Sequence, residues 1–193
     1  MADVDSRIER IEEVLVYSEP ANVWVRLYFD RVRFPDGREG RYNRVVESAG
    51  RVGVAVLPRR GSEVCLVRQY RYPIGLEQWE IPRGFGDGTN AEEDAERELA
   101  EETGLTGRLV DLGVLYPNSG VLGSASRLFL AEVDPGMSVA PSDGEVTEVR
   151  WYEWEHVLDM VAGGEIADAF SVAAIARVHL RSRANDQRAR NRS

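Results

Sequence analysis

Apolar and polar residues alternate along residues 23–34, which is the pattern of a β-strand with two different faces. One face is apolar and is formed by Val23, Val25, Leu27 and Phe29. Turn-forming residues follow at 35–38, and strand patterns lie on either side at residues 14–17 and 42–47. Residues 12–47 are therefore predicted to form an antiparallel β ribbon, preceded by a flexible, mostly polar lead-in over residues 1–11.

Short apolar segments and helical patterns follow one another over residues 48–182 without strict alternation. Strands are predicted at residues 53–57, 64–70, 109–116, 127–133 and 146–152, and helices at residues 90–102, 155–162 and 167–180. This order indicates an α+β fold or an α/β/α sandwich, in which helices cover a mixed sheet. Residues 183–193 have almost no apolar content and are predicted to form a disordered tail.

Composition and charge narrow the class of protein. The 193 residues, 43% of them apolar, suit one domain with a sizeable core. The formal net charge is −9 although residues 181–193 carry five arginines and one aspartate, so the rest of the chain is poorly suited to bind nucleic acid or an anionic membrane. A single cysteine, Cys65, excludes a disulfide framework. Because no hydrophobic signal or long apolar span is present, we expect a soluble cytoplasmic protein.

The first predicted helix concentrates acids. Residues 92–102 hold seven of them and one base, Arg97. Three of the acids share one face at the spacing i, i+3, i+4: Glu98, Glu101 and Glu102. Each repelling pair costs about 0.2–0.5 kcal/mol, and a divalent cation would offset this cost because hard cations bind several converging carboxylates. The alternative is a solvated acidic surface in which Arg97 pairs with Glu93.

The run that begins at Arg97 also matches a family motif. Its sequence is Arg97-Glu98-Leu99-Ala100-Glu101-Glu102-Thr103-Gly104-Leu105. It resembles, at every fixed position, the second half of the Nudix box, and Nudix enzymes hydrolyse a nucleoside diphosphate linked to a further group by using Mg²⁺ or Mn²⁺. The resemblance covers about residues 12–182 and implies an α/β/α sandwich. It also implies that Glu98, Glu101 and Glu102 bind metal and that Arg97 orients a catalytic glutamate.

The first half of the box differs from the family pattern. Thr89 stands where the family has a glutamate that braces the box arginine, and Arg83 stands where it has the leading glycine, one position before Gly84. A turn one residue shorter accounts for the offset. A carbonyl near the leading glycine is a metal ligand in the family, and this ligand maps here to Arg83 or Gly84. Gly84, Gly86 and Gly88 are otherwise ordinary turn residues.

The flanking segments resemble the ADP-ribose pyrophosphatase branch of the family. The likeness rests on the N-terminal ribbon and on three runs, at residues 67–73, 79–82 and 164–169. In that branch the ribbon packs across a partner subunit, so a homodimer held by residues 12–47 is implied. The candidate substrate contacts are Arg68, Arg71, Trp79 and Arg83. The arginines also suit an exposed strand, and Trp79 also suits a core.

The branch often takes its general base from a loop after the box. Here that loop holds Asp143 and Glu145, while Glu148 belongs to the following strand; a solvated loop is the alternative interpretation. The resemblance implies Mg²⁺-dependent hydrolysis of a nucleoside diphosphate derivative, foremost of ADP-ribose to AMP and ribose 5-phosphate. The open alternatives are NADH-type dinucleotides or nucleotide sugars as substrates, and a non-catalytic nucleotide-sensing module.

Overall fold

The computed structural model describes residues 7–86, 90–140 and 144–191, and the chain divides into two compact units. The first unit contains residues up to Arg51 together with Asn118–Ser124. Its strands are β1 (Glu9–Glu12), β2 (Leu15–Glu19), β3 (Asn22–Arg33) and β4 (Glu39–Glu47), followed by a short 3-10 helix, Ser48–Gly50. The long strand β3 pairs antiparallel with the other three, so the predicted antiparallel ribbon is confirmed.

The ribbon begins earlier than the sequence pattern predicts. Strand β1 starts within residues 1–11, which were expected to be a flexible lead-in, and it pairs with the end of β3. Two cross-strand ion pairs hold it there: Glu9 with Arg33 at 3.0 Å, and Glu12 with Arg31 at 3.1 Å. Opposite charges on facing strand positions stabilise a sheet, and this pairing is not visible in the apolar pattern.

The second unit runs from Val52 to Pro117 and from Ala125 onwards. Its strands are β5 (Gly53–Arg60), β6 (Glu63–Arg71), β7 (Leu76–Glu80), β8 (Arg83–Phe85), β9 (Arg108–Leu115), β10 (Ser126–Glu132) and β11 (Val146–Glu153). Its helices are α1 (Ala91–Thr103), α2 (Trp154–Gly163) and α3 (Ala169–Arg190). The strand order is β11-β6-β5-β10-β9, with β7 paired to β6 and β8 paired to β5, and the β5–β10 pair is parallel.

Helices cover both faces of this mixed sheet. Because successive side chains of a strand point to opposite faces, Ala55 and Leu57 pack with α2 and α3, whereas Val54 and Val56 pack with α1. Cys65 also lies on the α1 side, where burial raises the pKa of its thiol to about 12. The predicted α/β/α sandwich is therefore confirmed.

Helix α3 continues to Arg190, where the sequence pattern predicts a disordered tail from residue 183. Alanine, arginine and glutamine in this extension favour a helix, and adding residues to an existing helix avoids the cost of a new nucleus. Arg188 and Arg190 in the last turn also suit the negative end of the helix dipole. None of the described helices is long and apolar enough to cross a membrane.

Candidate active site

Two of the three predicted metal-binding acids of helix α1 face the protein interior. Asn90 caps the helix by accepting a hydrogen bond from Glu92 N at 3.0 Å, and Gly104 ends it with a φ of 72°. Glu98 and Glu102, one turn apart, are only 8% and 6% exposed. The side chain of Glu101 is 51% exposed. Of the three acids that the helical spacing places on one face, two are therefore buried and the third is exposed.

The backbone of β8 lies directly against the buried pair. Arg83 N donates a hydrogen bond to Glu102 Oε1 at 3.3 Å. A Cβ atom at Gly84 would overlap the carboxylate of Glu98, so any other residue here would displace that carboxylate from its position against β8. The structure therefore brings together Arg83, Gly84, Glu98 and Glu102. Two other residues of the motif lie outside the described residues: Gly88 and Thr89.

Arg97 is held by acids of its own helix. Its Nη2 atom lies 2.9 Å from Glu98 Oε1 and 3.7 Å from Asp94 Oδ1, and its Nη1 atom lies 2.9 Å from Glu101 Oε2. Nη2 also donates to the carbonyl oxygen of Phe85 at 3.4 Å. Arg97 therefore contacts two of the three predicted metal-binding carboxylates and the end of β8, rather than serving as a simple surface partner.

Opposing influences act on the Glu98 carboxyl group. Burial raises its pKa above the ordinary value, and this is the largest influence. The charge and hydrogen bond of Arg97 lower the pKa, while the negative charges of Glu101 and Asp94 raise it further. The net result is a raised pKa, because the positive charge of Arg97 does not fully offset burial among other acids.

The available oxygen atoms fit a hard divalent cation. Two buried carboxylates face a backbone segment that also offers carbonyl oxygens, and Mg²⁺ prefers such oxygen ligands. Within residues 7–86, 90–140 and 144–191, no three aspartate, glutamate, histidine or cysteine side chains are already grouped to hold a metal. Glu101, which would be the third carboxylate, is instead directed to Arg97.

A second charged cluster surrounds Glu80, which is fully buried at the end of β7. Glu80 Oε1 lies 2.5 Å from Arg71 Nη2, and Glu80 Oε2 lies 3.4 Å from Arg83 Nη2. Both arginine side chains remain 24% exposed. The two arginines are predicted from the sequence, but their shared acid is not; the available signal is a charged residue between the apolar residues Trp79 and Ile81.

The remaining candidate substrate contacts, Arg68 and Trp79, face each other on the paired strands β6 and β7. Arg68 Nη2 lies 2.7 Å from Glu77 Oε2, and its guanidinium carbon lies 6.0 Å from the centre of the Trp79 ring. The Trp79 ring also packs edge-on against Tyr152, with 5.3 Å between ring centres. Trp79 therefore contributes to the core on one side and lies beside an exposed arginine on the other.

Of the two candidate general bases, Glu145 is the one that lies within the described residues. It lies immediately before β11, where Gln69 Nε2 donates a hydrogen bond to its Oε2 atom at 2.8 Å. Glu148 lies within β11, as its assignment to the strand predicts, and forms an ion pair with Arg150. Asp143 lies outside the described residues. The hydrogen bond from the buried Gln69 shows that Glu145 is anchored to β6.

Comparison with known proteins identifies the family. A NUDIX domain model matches residues 49–171. The chain is 32% identical over 159 residues to the ADP-ribose pyrophosphatase of Mycobacterium tuberculosis, covering 78% of this chain and 74% of that protein. It is 28% identical over 139 residues to the ADP-ribose pyrophosphatase of Saccharomyces cerevisiae, covering 66% of this chain and 59% of that protein.

The fold comparison agrees. A crystal structure described as that of an ADP compounds hydrolase superposes with a TM-score of 0.75, covering 93% of this chain and 96% of that chain at 19% sequence identity. Such low identity shows a shared fold. The match to the domain model spans well over half of the chain and includes α1 and β8. This protein therefore belongs to the Nudix family and is a Nudix hydrolase.

Proposed function

We propose that this Nudix hydrolase cleaves the diphosphate linkage of ADP-ribose to give AMP and ribose 5-phosphate. The observation that carries the proposal is the position of Arg83, whose backbone contacts Glu102 while its guanidinium group joins Arg71 at Glu80. Arg83 thus lies between the acids that suit a metal ion and the arginines that suit a phosphate group. The similarity to the two ADP-ribose pyrophosphatases supports the choice of substrate.

The proposed metal is Mg²⁺ or Mn²⁺. Glu98, Glu101, Glu102 and a backbone carbonyl oxygen of Arg83 or Gly84 would hold it, and Glu101 would exchange its contact with Arg97 for one with the metal. When bound, the metal neutralises charge on the diphosphate and lowers the pKa of a water molecule. Arg97 then keeps its contact with Glu98 and orients that carboxylate.

Arg71 and Arg83 are proposed to bind the diphosphate. A guanidinium group is a planar fork that matches two phosphate oxygens at once. Because Glu80 already holds both side chains, less conformational freedom is lost when the substrate binds. Arg68 and Trp79, on the same pair of strands, are proposed to contact the nucleoside or the second ribose.

Glu145 or Asp143 is proposed to act as the general base. The carboxylate accepts a proton from the attacking water. The water oxygen forms a bond to one phosphorus while the bridging phosphorus–oxygen bond breaks, and the second phosphate leaves on ribose. The hydrogen bond from Gln69 holds the Glu145 carboxylate just before β11.

A substrate panel tests the proposal. With Mg²⁺ present, kcat/KM for ADP-ribose is expected to exceed the values for ATP and dGTP, because a site built for both ends of a diphosphate uses binding energy that a triphosphate cannot supply. Chromatography measures the nucleoside monophosphate formed from ADP-ribose, NADH, GDP-mannose, UDP-glucose and the two triphosphates. A tenfold preference for a triphosphate, about 1.4 kcal/mol in the transition state, would contradict the proposal. No turnover of any compound would favour the sensing module.

The N-terminal ribbon, residues 12–47, is proposed to hold a homodimer. It exposes more large apolar side chains than a solvated sheet needs, including Val23 at 61% and Trp24 at 57% exposure. Light scattering is expected to give twice the chain mass of 21.6 kDa at micromolar concentration. The double variant Val23→Asp, Trp24→Asp is expected to be a folded monomer.

Val114→Asp serves as the control for the dimer experiment. Val114 is also an exposed apolar residue, but it lies on β9 in the second unit. The control variant is expected to remain a dimer. A monomeric unmodified protein, or equal dissociation by both sets of substitutions, would argue against the ribbon as the dimer interface.

A further inference from the structure

A buried hydrogen-bond network joins the start of α3 to the segment that leads into β8. Asp168 Oδ2 accepts hydrogen bonds from Ser171 N at 2.9 Å and from Ser171 Oγ at 2.8 Å. Ser171 Oγ in turn accepts a hydrogen bond from Ile81 N at 3.0 Å. All three residues are buried. The helix end is therefore fastened to the chain two residues before Arg83.

The second carboxylate oxygen of Asp168 points to Arg83. Asp168 Oδ1 lies 3.4 Å from Arg83 Nη2, the nitrogen that is also 3.4 Å from Glu80 Oε2. The guanidinium carbon of Arg83 lies 4.7 Å from the centre of the Phe170 ring, a cation–π distance. The Arg83 head group is thus held by two buried acids and an aromatic ring.

Capping of α3 does not require this arrangement. A helix cap needs one side-chain oxygen, and serine or asparagine caps as well as aspartate does. The negative charge and the second oxygen of Asp168 have a different use, which is to fix Arg83. Asp168 therefore links the start of α3 to the arginine next to the buried glutamates of α1, and Ser171 links the same helix start to the backbone at Ile81.

We infer that Asp168 is a positioning residue for the hydrolysis reaction: it orients the Arg83 guanidinium toward the substrate phosphates while Ser171 fixes the strand that carries Arg83. This role rests on the proposed function, in which Arg83 contacts the diphosphate. Asp168 itself touches neither the substrate nor the metal. Its effect on the reaction passes through Arg83.

The first test is Asp168→Asn. The asparagine oxygen can still cap α3, but the neutral side chain no longer forms an ion pair with Arg83. For ADP-ribose with Mg²⁺, kcat/KM is expected to fall about ten- to a hundredfold, the effect of losing one hydrogen bond to a charged group. The loss should lie mainly in KM, because the phosphate contact is weakened. A purely structural defect would instead lower the active fraction and the apparent kcat, and leave KM unchanged.

Glu165→Gln is the matched control. Glu165 is exposed and lies three residues before Asp168, so the substitution removes the same charge from the same segment. This variant is expected to keep kcat and KM within about twofold of the unmodified enzyme, because a solvent-exposed charge interacts only weakly with other groups. A similar rise in KM in both variants would overturn the inference, since it would reflect net charge and not the contact with Arg83.

A double-mutant cycle with Arg83→Ala gives the decisive result. If Asp168 acts through Arg83, Asp168→Asn should add less than about twofold once Arg83 is alanine. Independent effects that multiply would overturn the inference. Should the asparagine variant not fold, Asp168→Ser replaces it, because serine retains the cap but is too short to reach Arg83. An inactive unmodified enzyme would refute the proposed function and this inference together, whereas an active enzyme with multiplicative effects refutes only the inference.

Discussion

Replacing Glu102 with glutamine is expected to lower kcat by about a hundredfold or more at saturating Mg²⁺, because a metal ligand contributes several kcal/mol to the transition state. Glutamine has nearly the same shape and retains an oxygen that can accept the hydrogen bond from Arg83 N. It lacks the charge that a divalent cation requires. The melting temperature of the metal-free protein should be unchanged or slightly higher, because one of the crowded acids of α1 is removed.

Glu96→Gln is the control for this experiment. Glu96 lies on the same helix but is exposed, so the variant has the same change in net charge away from β8. Its steady-state rate is expected to match that of the unmodified enzyme. Kinetics across a range of Mg²⁺ concentrations and thermal unfolding without metal measure the two effects separately. Near-normal activity of the Glu102 variant would show that the metal site lies elsewhere.

Replacing Glu80 with alanine is expected to lower the free energy of unfolding more than any other substitution considered for this protein. Its carboxylate is the shared partner of Arg71 and Arg83, and removing one member of a buried ion pair leaves uncompensated charge. Such a change costs about 3–5 kcal/mol for fully buried pairs. Because both arginines are partly exposed and can turn toward water, we expect about 3 kcal/mol, at the lower end of that range. Urea denaturation of the metal-free protein gives the free energy of unfolding.

Glu77→Ala provides a comparison on the same strand. Glu77 also pairs with an arginine, Arg68, at 2.7 Å, but both side chains are exposed. Exposed ion pairs contribute about 0–1 kcal/mol. The two alanine variants remove the same number of atoms and the same charge, so the difference between them isolates burial. Equal losses of stability in the two variants would mean that burial of the Glu80 ion pairs does not contribute to the free energy of unfolding.

The sequence by itself determined the features that depend on local spacing. A helix with 3.6 residues per turn places Glu98 and Glu102 on one face in any tertiary context, and Asn90 and Gly104 give its ends. Alternation along residues 23–34 likewise predicted the ribbon. These features were predictable because each requires only the geometry of one element or one hairpin.

Only the tertiary structure decided which distant residues meet. Pairing of β6 with β7 and of β8 with β5, and packing of α3 on the sheet, bring Arg71, Glu80, Arg83 and Asp168 together. The tertiary structure also buries Glu98 and leaves Glu101 at the surface. Sequence spacing carries no information on such contacts, because burial and ion pairing depend on the three-dimensional packing of elements that are far apart in the chain.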